Sequence, residues 1–229
     1  MAMSKFPLLF LCLAIPAFAG SERVDLVTTD RADVTPGGLI RIEGSTGELN
    51  IVGWDQPSVE VMTDRYTFRE ARDKEKAIAK LKRIEVVKKA AGSGELTIAT
   101  MKHESRIHVD YQIMVPRTSR LVIRHHIGDV VITDVAGDID AKAGTGDILV
   151  QLPEKEHYTI NAKTGIGGVY SDFNESRHTF VGHKLIQDAS TGGANGPAHK
   201  IDLHVSIGGI SIQKKESAAQ AGTSTPAGL

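Results

Sequence analysis

An all-β chain, built as a single-domain β-solenoid or β-helix-like repeat with one short surface helix, is what this sequence predicts, on three observations. Gly128-Asp129-Val130, Gly137-Asp138-Ile139 and Gly146-Asp147-Ile148 repeat glycine, aspartate, aliphatic at intervals of nine residues. Each opens a short segment with strand-like alternation, as in Val130-Val131-Ile132 and Ile148-Leu149-Val150. The theme returns more loosely as Gly167-Gly168-Val169 and Gly208-Gly209-Ile210. Fixed-period self-similarity marks a chain that stacks copies of one small unit, with glycine in its turns and aliphatics turned inward. On this reading Gly128, Asp129, Gly137, Asp138, Gly146, Asp147, Gly208 and Gly209 are the structural turns of the repeat. Asp129, Asp138 and Asp147 are expected at equivalent turns.

The chain opens with a targeting segment. Lys5 supplies a positive n-region, Phe6 to Ile15 is apolar, and Ala17-Phe18-Ala19 offers the small residues a signal peptidase reads. Residues 1–19 are therefore expected to be a Sec-type signal peptide, cleaved between Ala19 and Gly20. The apolar run falls short of the ~20 residues a spanning helix needs, so no stable membrane insertion is expected after cleavage. Residues 20–33 lead into the domain, which occupies 34–214. Residues 215–229 are mostly Ala, Gly, Ser, Thr and Pro with little to bury, and are expected to be disordered.

Strand signals follow one another along the domain. Val24 to Thr28 is a first candidate. Pro36-Gly37-Gly38 is a turn, after which Leu39 to Glu43 alternates as a half-buried strand. Gly47 through Gly53 repeats the glycine-then-alternation pattern, and Gln56-Pro57 turns the chain before Val59-Glu60-Val61. From Arg69 to about Arg83 the period changes: Ile78, Leu81 and Ile84 recur at three-residue spacing among mixed charges, and Glu70 and Lys74 form a four-apart pair. This predicts a helix lying on a sheet, its alternating acids and bases forming a solvated face. Strands resume at Ile84–Val87 and Leu96–Ile98, with Ser93-Gly94 as the turn between them. Ile107, Val109, Tyr111, Ile113 and Val115 alternate without a break until Pro116, which has no ladder donor, ends the run. Leu121-Val122-Ile123 leads into the Gly-Asp units.

The order of these motifs resembles the bacterial putative-adhesin domains of unknown function. The residues that carry the likeness are Pro36-Gly37-Gly38, Gly47 through Asp55, Val59-Glu60-Val61, the charged helix, Tyr111 to Pro116, the serial Gly-Asp units and Gly208 to Ile212. It covers roughly Val34 to Lys214. The resemblance implies a repetitive β-helix-like domain in the bacterial envelope, with no generally assigned enzymatic activity or ligand.

Composition narrows the function classes. Cys12 is the only cysteine and leaves with the signal, so the mature chain has no disulfide and no thiol nucleophile. Loss of Lys5 leaves 26 basic (27 − 1) against 28 acidic residues, a net charge of −2, which carries no footprint for nucleic acid. A calcium-binding nonapeptide repeat also has a period of nine, but it needs Gly-Gly-x-Gly-x-Asp so that oxygens of successive turns converge on one ion. Here one glycine directly precedes one aspartate, so the aspartate is expected to bond its own turn backbone, with no metal and no cofactor. His125 and His126 are adjacent and point to opposite faces of a strand; His103 and His108 likewise fall on opposite faces, and no zinc spacing occurs. Gly-x-Ser-x-Gly and a P-loop are absent, and Gly165-Ile166-Gly167-Gly168 lacks the residues of either phosphate loop.

Exported β-helices also include enzymes that cleave acidic polysaccharides. Asp140, Lys142 and Asp147 supply the residue types for such a reaction, but sugar-stacking aromatics are scarce. Trp54, between Gly53 and Asp55 at a strand end, suits turn-covering instead. The expectation is a periplasmic or secreted, non-catalytic, adhesin-like binding or structural module of the envelope. Its partner is an envelope protein or polysaccharide that these residues do not specify. A polysaccharide-active enzyme, a calcium-stabilised adhesin and a periplasmic partner of a membrane signalling system are the alternatives.

Overall fold

Alternating side chains make two-faced ribbons, and this chain buries the aliphatic face of each between two sheets. The structure is a computed structural model that describes residues 22–215 apart from 45, 70–72, 91–93, 102–105, 155, 174–176, 180–183 and 191–197. The expected signal peptide, its Ala19–Gly20 cleavage site and the tail from 216 onward lie outside the described residues. The strands are β1 (Glu22–Asp33), β2 (Leu39–Glu43), β3 (Leu49–Trp54), β4 (Ser58–Arg69), β5 (Glu85–Ala90) and β6 (Glu95–Met101). They continue with β7 (His108–Pro116), β8 (Arg120–Ile127), β9 (Val130–Thr133), β10 (Ile139–Thr145), β11 (Ile148–Pro153) and β12 (His157–Ile166). β13 (Gly168–Ser171), β14 (Arg177–Thr179), β15 (Lys184–Ser190), β16 (His199–Ile207) and β17 (Ile210–Lys215) complete them.

One sheet has nine strands in the order β1-β4-β7-β3-β9-β11-β17-β13-β14, and the other has eight, β15-β12-β16-β10-β8-β2-β6-β5. Strands that follow each other in the chain cross from the second sheet to the first through a short corner, forming two-strand rungs. Six rungs stack in parallel, in the spatial order β6/β7, β2/β3, β8/β9, β10/β11, β16/β17, β12/β13. Antiparallel strands flank both ends: β4 and β5 beside β7 and β6, and β14 and β15 beside β13 and β12.

The all-β expectation with one helix therefore holds, but a simple β-solenoid is not what forms. Both sheets are open, and the rungs do not follow chain order: β6/β7 lies outside β2/β3, and β16/β17 is wedged between β10/β11 and β12/β13. The reason is the two antiparallel excursions, β4 to β5 and β14 to β15. Each reverses the chain, so the rung that follows pairs on the inner side of strands already laid down. The lead-in residues are also part of the sheet, since β1 pairs with β4 along its full length from Glu22 to Asp33.

Between the sheets the inward side chains form ladders. Ile40, Leu121, Ile139, Ile201 and Ile160 make one row in the eight-stranded sheet, and Leu49, Val130, Ile148, Ile210 and Val169 make another in the nine-stranded sheet; all are buried. Each such aliphatic contributes about 1.5–3 kcal/mol by leaving water. β4 runs on to Arg69, where the sequence predicts helix, so the helix α1 is shorter than expected, Lys74–Leu81. It buries Ala77 and Leu81 against β1 and β4, as an amphipathic surface helix should. Residues 70–72, and with them the Glu70–Lys74 pair, lie outside the described residues. The inward positions of β4 include Thr63, Arg65 and Thr67. Arg65 is held by the Ile84 carbonyl just past the helix (2.9 Å) and by Thr28 Oγ1 on β1 (2.8 Å), tying helix end and edge strand together.

Candidate functional site

The corners between paired strands are built from the glycines that mark the repeat. Gly47, Gly128, Gly146, Gly208 and Gly167 stack in one column, one in each of the five rungs from β2/β3 to β12/β13, with φ of 138°, 125°, 130°, 142° and 144°. No L side chain adopts this backbone without strain, and the packing forbids one as well. A Cβ on Gly146 would lie 2.2 Å from the Gly128 carbonyl oxygen, and one on Gly208 would lie 2.0 Å from that of Gly146. Backbone bonds run through the column, Gly128 N–H donating to Thr145 O (2.9 Å) and Gly146 N–H to Ile207 O (3.0 Å).

The aspartates beside these glycines bridge rungs. Asp147 N–H donates to Asp129 Oδ1 (2.9 Å), and Gly209 N–H donates to Asp147 Oδ1 (2.6 Å). Their carboxylates thus satisfy the amide of the next rung, whereas the sequence predicts a bond to their own turn. Gly137 and Asp138 occupy the opposite corner, where the chain returns from β9 to β10. There Lys200 N–H donates to Asp138 Oδ1 (2.9 Å), and a Cβ on Gly137 would lie 2.2 Å from Ser119 O. Asp129 and Asp147 are equivalent, 18 residues apart, while Asp138 is not equivalent to either. The nine-residue period is half a rung. Among the described residues, no three His, Cys, Asp or Glu side chains gather to hold a metal.

Inward polar groups cap two of the corner carbonyls. His125 points inward and His126 outward, as their adjacency requires. His125 Nε2–H donates to Gly47 O (2.8 Å), the same service that Thr164 Oγ1 performs for Gly208 O (2.8 Å). Its Nδ1 is buried with no hydrogen-bond partner among the described residues. The ring fills the space a Cβ on Gly44 would need, 2.4 Å from Nδ1. Burial pushes the His125 pKa down, against the pull of its bond to Gly47. His103 lies outside the described residues.

Each outer face carries a groove. Over β9, β11, β17 and β13 a depression of about 660 Å³ is lined by Val131, Leu149, Ser211 and Tyr170, with Asp129 and Asp147 at its corner end. On the eight-stranded sheet a second, of about 430 Å³, is lined by Asp140, Lys142, Asn161, Lys163, Asp202 and His204. Here Arg124 grips Asp140 through two nitrogens (3.0 and 2.7 Å), and Asp202 takes Lys200 (2.9 Å) and Asn161 Nδ2 (3.0 Å). Partial burial works to raise the Asp202 pKa, but the bonds from Asn161 and Lys200 prevail and hold it below the usual carboxylate range. Asp140 and Lys142 thus share a face, whereas Asp147 sits at a corner committed to an amide. Trp54 covers the Asp55–Pro57 turn by donating Nε1–H to Ser58 O (2.7 Å).

The sequence reading missed Lys163, His204 and Tyr170. A signal for two of the lysines exists: Lys142-Ala143-Gly144-Thr145-Gly146 and Lys163-Thr164-Gly165-Ile166-Gly167 share a pattern ending in a column glycine.

Comparison with known proteins bears on the fold. No family model matches the chain, and no curated protein matches its sequence. Among solved structures, a "putative cell adhesion protein" from Clostridium sporogenes is similar at a TM-score of 0.50 and 15% identity, over 83% of this chain and 100% of that one. A "putative adhesin" from Parabacteroides distasonis is similar at a TM-score of 0.31 and 12% identity, over 84% of this chain and 67% of that one. Another from Bacteroides fragilis gives 0.25 and 11%, over 82% and 97%. The likeness to the first is one of fold.

Proposed function

We propose that this chain is an exported bacterial cell-envelope protein that works as a non-catalytic, adhesin-like binding module. Its rungs are read as a short β-solenoid derivative whose two ends are closed by antiparallel strands. The observation that carries the proposal is the parallel register: equivalent side chains of successive rungs line up in rows at strand spacing, about 4.8 Å, on both outer faces. Stacked repeats present extended surfaces of this kind, suited to partners that are themselves extended. The N-terminal segment, Lys5 with the apolar run to Ile15 and Ala17-Phe18-Ala19, supports export. The fold-level likeness to the "putative cell adhesion protein" is in keeping with it. Among the described residues, no helix is long and apolar enough to cross a membrane.

The test expresses the full chain in a bacterium, fractionates the cells, and weighs the product. A mature mass beginning at or within a residue or two of Gly20, found in periplasm or medium, with the purified protein sedimenting with isolated envelopes, is the expected result. A cytoplasmic product retaining Lys5 overturns export. Release of reducing sugar ends from envelope polysaccharide by the pure protein overturns the non-catalytic reading.

A further inference from the structure

We propose that the outer face of the eight-stranded sheet binds an acidic polysaccharide laid across its strands, held by Lys142 and Lys163 on either side of His204. The inference deepens the binding-module reading and rests on it. Lys142 pairs in register with His204, and His204 with Lys163, so the three stand side by side on β10, β16 and β12. Two strand spacings separate the lysines, roughly 10 Å. Both are exposed, and among the described residues neither forms an ion pair. The acids of the groove are already engaged, Asp140 by Arg124 and Asp202 by Lys200. Lys142 also lies near enough to Asp202 to favour its charged form, and with Lys163 it gives the groove its excess of positive charge. Glu43, opposite Arg124, closes the row on the β2 side, so the anionic path begins at Lys142.

The neighbouring outward positions explain why a sugar chain fits. Two residues beyond the row come Gly144, Ser206 and Gly165, a shelf almost without side chains. It is bare for a structural reason: a Cβ on Gly144 would lie 2.5 Å from His126 O, and one on Gly165 would lie 2.6 Å from Ser206 O. A polymer can thus rest close to the backbone while its carboxylates reach the ammonium groups. The lysine separation is comparable to the length of two successive pyranose units, so every second acidic sugar meets a lysine. Val122 and Asn161 also lie on this face, and among the described residues its rings are imidazoles such as His204 and His126, with no Phe, Tyr or Trp on which nucleic-acid bases would stack. At the strand ends beyond the shelf the exposed Ile127, Ile207 and Ile166 line up with Thr145, so a lipid surface is the competing occupant that the vesicle arm of the test must exclude.

The experiment measures binding of the mature protein to polygalacturonate, with neutral dextran, double-stranded DNA and phosphatidylglycerol vesicles alongside, at low and high salt. Saturable binding to polygalacturonate that weakens with salt, and none to dextran, is expected. The double variant Lys142→Gln/Lys163→Gln binds about tenfold more weakly, and Lys74→Gln/Lys80→Gln on the helix binds as the wild type does. Unchanged thermal melts confirm that all variants are folded. Equal binding by both double variants overturns the proposal, as does binding only to DNA or vesicles. Envelope sedimentation that persists without any polygalacturonate binding overturns this inference while leaving the binding-module reading intact; failure of export does the reverse.

Discussion

Gly146 is where the corner column is most directly tested. Replacing it with alanine introduces two separate penalties. The residue sits at φ 130°, a region that costs a side chain about 1–3 kcal/mol. The new Cβ would also stand 2.2 Å from Gly128 O, a backbone atom that cannot rotate away. That oxygen must retreat by about 0.8 Å to reach even the 3.0 Å that real Cβ atoms tolerate. The move strains the adjoining ladder bonds, Gly128 N–H to Thr145 O (2.9 Å) and Val130 N–H to Asp147 O (2.9 Å), each worth about 1 kcal/mol. Together the loss is about 3–5 kcal/mol, a large share of the roughly 5–15 kcal/mol by which domains are stable. Two other glycines separate the penalties. Gly37 has φ 76° but open space around a Cβ, so Gly37→Ala isolates the backbone term at about 1 kcal/mol. Gly94 has neither constraint, and Gly94→Ala is expected within about 0.5 kcal/mol of wild type. Urea unfolding of the three variants reads the differences. A Gly146→Ala protein no less stable than Gly37→Ala would refute the close approach of rungs at the corner.

Three further outcomes follow from the same geometry. Ile148 is 1% exposed, so Ile148→Asp is expected to lose several kcal/mol, whereas Asp147→Asn keeps the Oδ1 acceptor for Gly209 N–H and loses little; thermal melts that rank them the other way contradict the inside–outside assignment. Because burial depresses the His125 pKa, the unfolded chain takes up this proton first, so its contribution is intact above about pH 6.5 and is lost as pH falls from there through the folded-state value. His125→Gln should therefore flatten the fall in stability between about pH 7.5 and pH 5, and a variant that tracks the wild type across that range shows that His125 is not its source. Asp129 and Asp147 already accept backbone amides, so calcium in the millimolar range is expected to leave the melting temperature unchanged; a rise that disappears in Asp138→Ala would establish a calcium site.

What the residues reveal in advance, and what they hide, divides along physical lines. The run Ile107 to Val115 reads as a strand and forms one from His108 onward, because alternation is a local property that burial between two sheets reinforces. The second half of β4 is hidden because its inward positions, Thr63, Arg65 and Thr67, are polar and break the apolar alternation. The Gly-Asp units are legible as turns, but their nine-residue spacing conceals that successive units lie on opposite corners. Nor does Gly208-Gly209-Ile210 say which rungs it will join, since every rung offers the same edge. The face bearing Lys142, Lys163 and His204 is illegible for a related reason: neighbours across a parallel sheet lie far apart in the chain, and His204 is 62 residues beyond Lys142, like Asp202 beyond Asp140.

The wedged position of β16/β17 has a consequence for how the molecule is made. Its two strands are the shared partners of β10/β11 on one side and β12/β13 on the other. Until the chain has been produced as far as Lys215, β12 and β13 have no parallel rung to pair with. Pairings this distant in sequence are slow to form because loop-closure entropy is spent before any contact repays it. The last rung is thus a keystone, inserted after everything it joins. On the export proposed above, such an arrangement would withhold the finished core until β16 and β17 have crossed, and so keep the chain loose enough to thread.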